Sequence, residues 1–321
     1  MKKILICGAT GFIGRNLLDH YYKKKEYSVK ATHFKRPPLR EYDGVEWINC
    51  DLRNAEHAKE ALKGVDIILQ FASTTSGAKD IVSKPYIHVA DNAIMNSILL
   101  REAFEQGIEH FIFPSCTIMY QKSQIALKES DFDMADEILP FYFGTGHTKV
   151  YLENMCKFYA SLGRTKHTAI RHSNMYGPYD KYDLEKSHVF GATVTKVMNS
   201  NDGKIVVWGT GEEARDLLYV KDLVRFVDIA INKQVENFEL FNVGLGKGIK
   251  IKDLVQKIIK CSGKKLEIIH DLSKPTIPTS LFLDCSHVKE KFGWEPIYTL
   301  EEGITKTLKW YGNNNVNTRT N

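Results

Sequence analysis

The chain has 321 residues, 43% of them hydrophobic, so it can bury a full core and is long enough for one large domain or two smaller ones. Its net charge of +5 is spread over scattered lysines instead of a basic stripe with aromatics, which argues against nucleic-acid binding. Its six cysteines form no C-x-x-C pair, and no apolar stretch of roughly 18 residues could span a membrane. We therefore expect a cytoplasmic protein with neither a disulfide framework nor a metal site.

The first predicted elements are a strand and a helix joined by a glycine-rich turn. Residues 3–7 are a short stretch that is apolar after Lys3, Gly8, Gly11 and Gly14 follow at G-x-x-G-x-x-G spacing, and residues 15–21 have an amphipathic helical pattern. Glycine lets the backbone approach a pyrophosphate closely, and the unpaired N–H groups of a helix N-terminus favour its charge. The turn therefore predicts a dinucleotide-binding site.

Strand-like runs then alternate with helical patterns through the first half of the chain. Strands are predicted at residues 28–33, 45–50, 65–70, 110–114 and 168–171, and the helices between them include residues 90–105 and 147–162. Parallel strands need crossover connections, so this alternation predicts an α/β fold with a Rossmann-type, doubly wound parallel sheet.

The pattern changes beyond Pro178 to loops, short strands and isolated helices. This change predicts a smaller C-terminal lobe that binds substrate over the carboxyl ends of the strands. We expect a dinucleotide-binding domain over residues 1–171 and a lobe mainly over 172–311, interleaved with the first domain. Residues 312–321 are polar and are predicted to form a flexible tail.

The residues after the second predicted strand bear on the choice of nicotinamide cofactor. An acidic side chain there accepts a hydrogen bond from the ribose of NAD, whereas basic side chains accommodate the 2′-phosphate of NADP. His33, Lys35 and Arg36 occupy this place, without a carboxylate. The sequence favours NADP, with NAD as the second choice. In the alternative interpretation, Lys35 and Arg36 are only surface residues of a loop that ends in two prolines and have no role in cofactor binding.

Several motifs together resemble the extended short-chain dehydrogenase/reductases of the nucleotide-sugar epimerase/dehydratase group. Besides the glycine turn, the markers are DLR at 51–53, residues 115–120, RHSNMYGP at 171–178, RDLLYVKD at 215–222, FGWEP at 292–296 and LEEG at 300–303. Within the group, residues 176–183, 187–189 and 207–211 are most similar to GDP-fucose synthase-like members. The resemblance implies an enzyme that acts on a nucleotide sugar, and it favours a GDP-sugar.

The resemblance also implies binding residues and a homodimer. Besides Lys149, the implied cofactor-binding residues are Gly8, Thr10, Gly11, Phe12, Ile13, Gly14, His33, Lys35, Arg36, Asp51, Leu52, Phe71, Ala72 and Ser73. The implied substrate-binding residues are Asn174, His188, Val189, Lys196, Trp208 and Arg215. Asn174 is expected to bond the sugar nucleotide and Arg215 to hold its diphosphate. Relatives pair through the helices predicted at 90–105 and 147–162.

The chain departs from the group at its catalytic residues. The resemblance implies a Ser or Thr, a Tyr, and a Lys four residues after the Tyr, with the Lys lowering the pKa of the phenol. Lys149 is present, but Thr145 stands four residues before it, and the Ser/Thr position falls on Cys116 with Thr117 beside it. An aliphatic hydroxyl does not ionise near neutral pH, so Thr145 cannot replace the phenol.

Three side chains are candidates for the missing group. Tyr142 lies on the same helical stripe as Thr145 if the helix begins one turn early, which the preceding Pro140 permits. Cys116 can exchange a proton if a neighbouring cation lowers its pKa. His188 matches a histidine acid of GDP-fucose synthase, although that enzyme's partner cysteine falls at Ile118 here. His188 and His147 can equally be ordinary hydrogen-bonded histidines.

Two classes of function follow from these observations. The first is an NAD(P)-dependent enzyme, of epimerase, dehydratase or reductase type, with redox chemistry at the C4 of a nucleotide sugar. The second is a non-catalytic subunit that binds cofactor and nucleotide sugar and has lost the tyrosine-based reaction. Lys149, Asn174 and Arg215 stand where a substrate site needs them, which favours the enzyme.

Overall fold

A computed structural model describes residues 1–75, 83–184, 187–274, 276 and 280–314. The strands in this part of the chain are β1 (Lys2–Cys7), β2 (Tyr27–His33), β3 (Glu46–Asn49), β4 (Ile67–Gln70), β5 (His110–Pro114), β6 (Lys166–His172), β7 (Asn174–Tyr176), β8 (Lys204–Trp208), β9 (Ala214–Tyr219), β10 (Phe238–Val243), β11 (Gly248–Lys250) and β12 (Glu267–Asp271). The α-helices are α1 (Phe12–Tyr21), α2 (Ala55–Leu62), α3 (Ala90–Glu105), α4 (Phe143–Ser161), α5 (Val189–Asn199), α6 (Val220–Lys233), α7 (Ile251–Ser262), α8 (Ser286–Phe292) and α9 (Leu300–Asn313).

Seven parallel strands form the main sheet, in the order β10-β6-β5-β4-β1-β2-β3. The central strands β1, β4 and β5 are short apolar runs whose residues are almost all buried, as expected for a sheet covered on both faces. Two large hydrophobic clusters lie against the sheet, one built around Ile4 and Ile6 and the other around Leu5 and Phe111. The doubly wound α/β fold predicted from the sequence is confirmed.

The chain after residue 172 contributes to both the main sheet and smaller sheets. Strand β10 pairs with β6 at the edge of the main sheet, while β11, β9 and β7 form a three-stranded sheet and β8 pairs with β12. Trp294 is fully buried, and its indole N–H donates to the carbonyl of Asp222 at 3.2 Å, which fixes the C-terminal segment on α6. The lobe is therefore packed on the sheet through shared strands and a continuous core.

Several predicted boundaries differ from the structure. Helix α3 coincides with its prediction, but α4 begins at Phe143, four residues before the predicted start, and a 3₁₀ turn over Pro140–Tyr142 leads into it. A proline at the first turn has no N–H to leave unpaired, which explains this start. The predicted tail at 312–321 begins too early, because α9 continues to Asn313; residues 315–321 lie outside the described part.

No helix in the described ranges is long and apolar enough to cross a membrane.

Candidate active site

The predicted cofactor-binding segments follow the strands of the main sheet at one edge. All seven strands are parallel, so their carboxyl ends lie at the same edge. The glycine turn follows β1, His33 ends β2, Asp51 follows β3, and Phe71, Ala72 and Ser73 follow β4. Ligands of open α/β sheets bind outside this edge, so the fold gathers the predicted segments where such ligands bind.

The three glycines of the turn have different roles. Gly8 has a φ of +70°, and a Cβ there would lie 2.7 Å from the Cα of Ala72. A Cβ on Gly14 would lie 2.2 Å from the carbonyl oxygen of Gly8, so this glycine is required for the turn to close on the helix. At Gly11 the nearest atom within 4 Å is the same carbonyl oxygen, at 3.2 Å. All three positions therefore leave little room for a Cβ, with the closest approach at Gly14 and the widest at Gly11.

The N-terminus of α1 fits an anionic group. Gly11 is the residue before the helix and has no side chain to cap it, and no acidic residue lies in the first turn. The first N–H groups of a helix have no partner within the helix and carry partial positive charge. The glycine at the N-cap and this uncapped terminus fit the pyrophosphate of a dinucleotide.

The ribose end of the predicted cofactor site carries positive charge. His33 is half-buried with its ring edge against Trp47, and its Nδ1 is buried without a hydrogen-bond partner among the described residues. Phe34, Lys35 and Arg36 are exposed just beyond it. The two cations stand on the surface beside the end of β2, where a 2′-phosphate would be accommodated.

Asp51 has a partner that the sequence did not suggest. Arg53 donates to both of its carboxylate oxygens, at 2.7 and 2.9 Å, and donates to Asp91 at 2.9 Å. These hydrogen bonds with Arg53 are the main reason that the pKa of Asp51 is lowered. The neighbouring Leu52 is buried in the core under β3.

Lys149 lies on α4 with its ammonium at the end of β5. Its Nζ donates to the carbonyl oxygen of Pro114 at 2.8 Å and lies 4.9 Å from the ring centre of Phe113. Burial lowers the pKa of Lys149. An ammonium has three donors, so the bond to Pro114 leaves two for other partners.

Cys116 and Thr117 follow β5 after Ser115, and Cys116 interacts electrostatically with Lys149. The charge of Lys149 lowers the pKa of the Cys116 thiol, but burial is the larger effect and raises it overall. The hypothesis that a neighbouring cation makes this cysteine acidic is therefore wrong, because desolvation outweighs the cation. Thr117 is buried.

Tyr142 immediately precedes α4 and packs in one hydrophobic cluster with Cys116. Burial raises the pKa of its phenol; the charge of Arg215 opposes this effect and Cys116 adds to it. Arg215 is half-buried; desolvation lowers its pKa, and its Nη1 donates to the carbonyl of Ala214 at 2.9 Å. Tyr142 thus interacts with Arg215 and Cys116, while Lys149 is not among the charges that shift its pKa.

The predicted histidines differ in their surroundings. His188 is exposed just before α5; desolvation, then the charges of Lys181 and His88, lower its pKa. His147 lies on α4 with its ring edge against Phe143. Neither ring has contacts that distinguish a catalytic from an ordinary histidine.

The other predicted substrate residues lie on the lobe. Asn174 is exposed on β7 and donates to the carbonyl of Asp216 at 3.2 Å. Val189 is the first residue of α5. Lys196 donates to the carbonyl of Val206 at 2.8 Å and lies 5.6 Å from the ring centre of Trp208, which is half exposed at the end of β8.

The NAD dependent epimerase/dehydratase family matches residues 4–244 of the chain. The chain belongs to this family. It is 33% identical over 317 residues to the probable GDP-L-fucose synthase 1 of Oryza sativa subsp. japonica, which covers 97% of this chain and 92% of the relative. It is 27% identical to the GDP-L-colitose synthase of Yersinia pseudotuberculosis, over 97% of this chain and 98% of the relative.

Two solved structures of UDP-glucose 4-epimerases have the same fold as this chain. The UDP-glucose 4-epimerase of Thermotoga maritima with UDP-glucose has a TM-score of 0.85 at 24% identity, covering 97% of this chain and 99% of that one. The UDP-glucose 4-epimerase of Thermus thermophilus with NAD has a TM-score of 0.83 at 20% identity, covering 97% and 99%. At these identities the likeness supports the fold alone.

His172 is a residue of this site that sequence reasoning missed, although it stands inside the RHSNMYGP motif. It ends β6 and is half-buried, and its Nδ1 lies 2.8 Å from the carbonyl oxygen of Ser173. A carbonyl only accepts, so Nδ1 donates and carries the proton. Burial is the main cause that lowers the pKa of His172 to about 4, and the charges of Lys149 and His188 contribute. His172 is therefore a neutral imidazole near pH 7, and the charge of Lys149 contributes to that state.

Proposed function

We propose that this protein is an NAD(P)-dependent nucleotide-sugar enzyme with redox chemistry at the sugar C4, and that its substrate is a GDP-sugar. The observation that carries the proposal is the arrangement at the carboxyl end of β5. The Lys149 ammonium donates to the Pro114 carbonyl there, and Cys116, two residues further on, packs in the same hydrophobic cluster as Tyr142. The charge of Arg215, which belongs to the lobe, acts on Tyr142.

Arg215 and Asn174 would hold the nucleotide sugar on the lobe. Both residues belong to the three-stranded sheet, Asn174 on β7 and Arg215 on the neighbouring β9. A guanidinium matches a diphosphate with several donors in one plane. The GDP preference is supported by the names of two relatives, a GDP-L-fucose synthase and a GDP-L-colitose synthase.

The family's chemistry needs a hydride acceptor or donor and a group that moves the proton of the sugar oxygen. When bound, the nicotinamide supplies the hydride chemistry. Lys149 would hold the adjoining ribose through donors not used by Pro114. Tyr142 would exchange the proton with the sugar oxygen, since it is the phenol that packs with Cys116 and whose pKa responds to the charge of Arg215.

The cofactor is proposed to be NADP(H), with NAD(H) as the second choice. Lys35 and Arg36 are exposed beside the end of β2, and His33 has a buried ring nitrogen without a described partner. The two exposed cations offer positive charge to a 2′-phosphate. A carboxylate that would select the ribose of NAD is absent from residues 33–36.

The protein is also proposed to form a homodimer through α3 and α4. These helices pack on each other, and their outer faces expose large apolar side chains, namely Ile94, Tyr151 and Phe158. Ser97 and Tyr151 lie on the same outer faces, with their hydroxyls 3.3 Å apart. An exposed apolar face on two adjacent helices is suited to a four-helix interface between two copies.

The experiment that tests the proposal is incubation with GDP- and UDP-sugars, including 4-keto forms, with NADP(H) or NAD(H). Products are identified by mass spectrometry and by sugar stereochemistry, because a cofactor recycled within one turnover leaves the absorbance flat. Lys149→Met should lower the rate strongly, and Tyr142→Phe should lower it by about 10²- to 10⁴-fold, the range for a general acid or base. Tyr159→Phe serves as the matched control, because Tyr159 lies on the same helix as Lys149 but its ring packs against Phe104 on α3. The proposal is wrong if the wild type alters none of the sugars.

A further inference from the structure

The substrate lobe meets the cofactor-binding half at a turn of unusual conformation. We call residues 177–182 the clamp turn. Tyr179 within it has a φ of +72°, the one positive φ outside glycine among the described residues. An L side chain rarely adopts this conformation, and it persists only where the surroundings hold it in place.

Helix α1 supplies those surroundings. The hydroxyl of Tyr179 donates to Oδ2 of Asp19 at 2.9 Å, and the Nδ2 of the buried Asn16 donates to the carbonyl of Pro178 at 2.8 Å. The guanidinium of Arg15 lies 5.7 Å from the ring centre of Tyr179. The clamp turn therefore packs directly against α1, the helix that follows the glycine turn.

The same carboxylate also holds the segment at the ribose end of the cofactor site. Oδ1 of Asp19 accepts from Arg40 at 2.6 Å and from the hydroxyl of Tyr42 at 2.9 Å. Arg40 and Tyr42 belong to the connection between β2 and β3, which begins with the cations at residues 35 and 36. The carboxylate of Asp19 thus joins the two segments: Oδ1 accepts from the ribose-side segment and Oδ2 accepts from the clamp turn.

A second contact links the clamp turn to the cofactor-binding edge. Nζ of Lys181 donates to the carbonyl oxygen of Thr75 at 3.0 Å and lies 3.2 Å from its hydroxyl. Thr75 comes two residues after Ser73, the last of the predicted cofactor residues behind β4. On its other side the clamp turn leads to His188 and Val189, which are predicted to bind substrate.

We propose that Tyr179 is a positioning residue that, through Asp19, couples the binding of the nicotinamide dinucleotide to the binding of the nucleotide sugar. The inference rests on the proposed function. A dinucleotide that orders the ribose-side segment also fixes Arg40, Tyr42 and Asp19. The clamp turn then loses less conformational entropy when the nucleotide sugar binds. Each ligand therefore raises the affinity of the protein for the other ligand by the same factor.

The test is calorimetric titration of GDP, or of UDP if GDP does not bind, with and without saturating NADPH. In the wild type we expect NADPH to tighten nucleotide binding by about tenfold, within the usual range of coupling between two sites. Tyr179→Phe removes only the hydroxyl, so the tightening should fall below about twofold while the affinity for the nucleotide alone changes little. Tyr182→Phe is the matched control, because its hydroxyl bonds Gly177 within the turn and should leave the coupling intact.

A second variant separates coupling from a local effect. Asp19→Asn should also lower the coupling, and combining it with Tyr179→Phe should lower it no further, since both remove the same connection. The inference is overturned if the wild type shows no tightening, or if Tyr179→Phe retains it. If the wild type binds neither NADPH nor NADH, or neither nucleotide, the proposed function fails, and the inference falls with it.

Discussion

A buried histidine in the main sheet leads to a quantitative prediction about acid stability. His167 on β6 is fully buried beside Phe111, and neither ring nitrogen has a hydrogen-bond partner among the described residues. Burial lowers the pKa of His167 from 6.5 to about 3. The unfolded chain therefore binds this proton between pH 6.5 and 3 and the folded chain does not, so stability is lost as pH falls through that interval.

The magnitude follows from the size of the shift. Between pH 6.5 and pH 5 the folded imidazole stays neutral, and about 1.5 pH units at about 1.36 kcal/mol each amount to about 2 kcal/mol lost from the free energy of unfolding. His167→Leu removes the titration at similar side-chain volume. Because it also removes two unpaired buried nitrogens, it should stabilise the protein at pH 7.5 by about 1 kcal/mol.

The assay is urea denaturation of the wild type and His167→Leu at pH 7.5 and pH 5. Asp180 and Asp216 act in the opposite direction, because burial raises their pKa values to about 7 and about 6, so that stability falls as pH rises. Both proteins contain these two carboxyls, so their contributions cancel in the difference between the two free energies of unfolding. We expect that difference to grow by about 2 kcal/mol on acidification, with the exposed His57→Gln as a control that follows the wild type. If the free energy of unfolding changed equally between pH 7.5 and pH 5 in the wild type and in His167→Leu, the reasoning would be refuted.

Three further predictions concern the proposed site and assembly. Gly11→Val should abolish NADPH and NADH binding by calorimetry in a protein that remains folded, whereas Gly14→Ala should lower the unfolding midpoint strongly, because its Cβ would lie 2.2 Å from the Gly8 carbonyl oxygen; equal dinucleotide affinity in Gly11→Val would contradict this. The wild type should bind NADPH more tightly than NADH, and Arg36→Ala should narrow that ratio; a preference for NADH would count against NADP(H). Light scattering should give twice the chain mass of 36.7 kDa, and Phe158→Asp with Tyr151→Asp should give the monomer; a monomeric wild type at micromolar concentration would exclude the dimer.

Most of the fold could be predicted from local patterns in the sequence. The apolar run at residues 3–7 and the glycine spacing after it identify β1, the turn and α1, because a tight strand-to-helix connection requires glycine at specific places. Strand β10 escaped prediction. It lies far along the chain, beyond the point where the regular alternation ends, and it is defined by pairing with β6.

The site was less predictable because its distinctive features depend on tertiary contacts. The missing tyrosine and the place of Lys149 can be read from spacing, but the electrostatic association of Tyr142 with Arg215 joins residues 73 positions apart (215 − 142). The neutral state of His172 follows from burial, and the left-handed conformation of Tyr179 follows from its bond to Asp19. No local pattern in the sequence encodes these three features.

The most direct test of the central claim is transfer of hydrogen between cofactor and sugar. Reduction of a 4-keto sugar is common to reductases and to epimerases that work through a C4 ketone. The protein is therefore incubated with NADPH or NADH deuterated at the nicotinamide C4, together with 4-keto GDP- and UDP-sugars, and the products are analysed by mass spectrometry and NMR. We predict a product with deuterium at the sugar C4, formed much more slowly by Lys149→Met. Unaltered sugars with both deuterated cofactors would contradict the account.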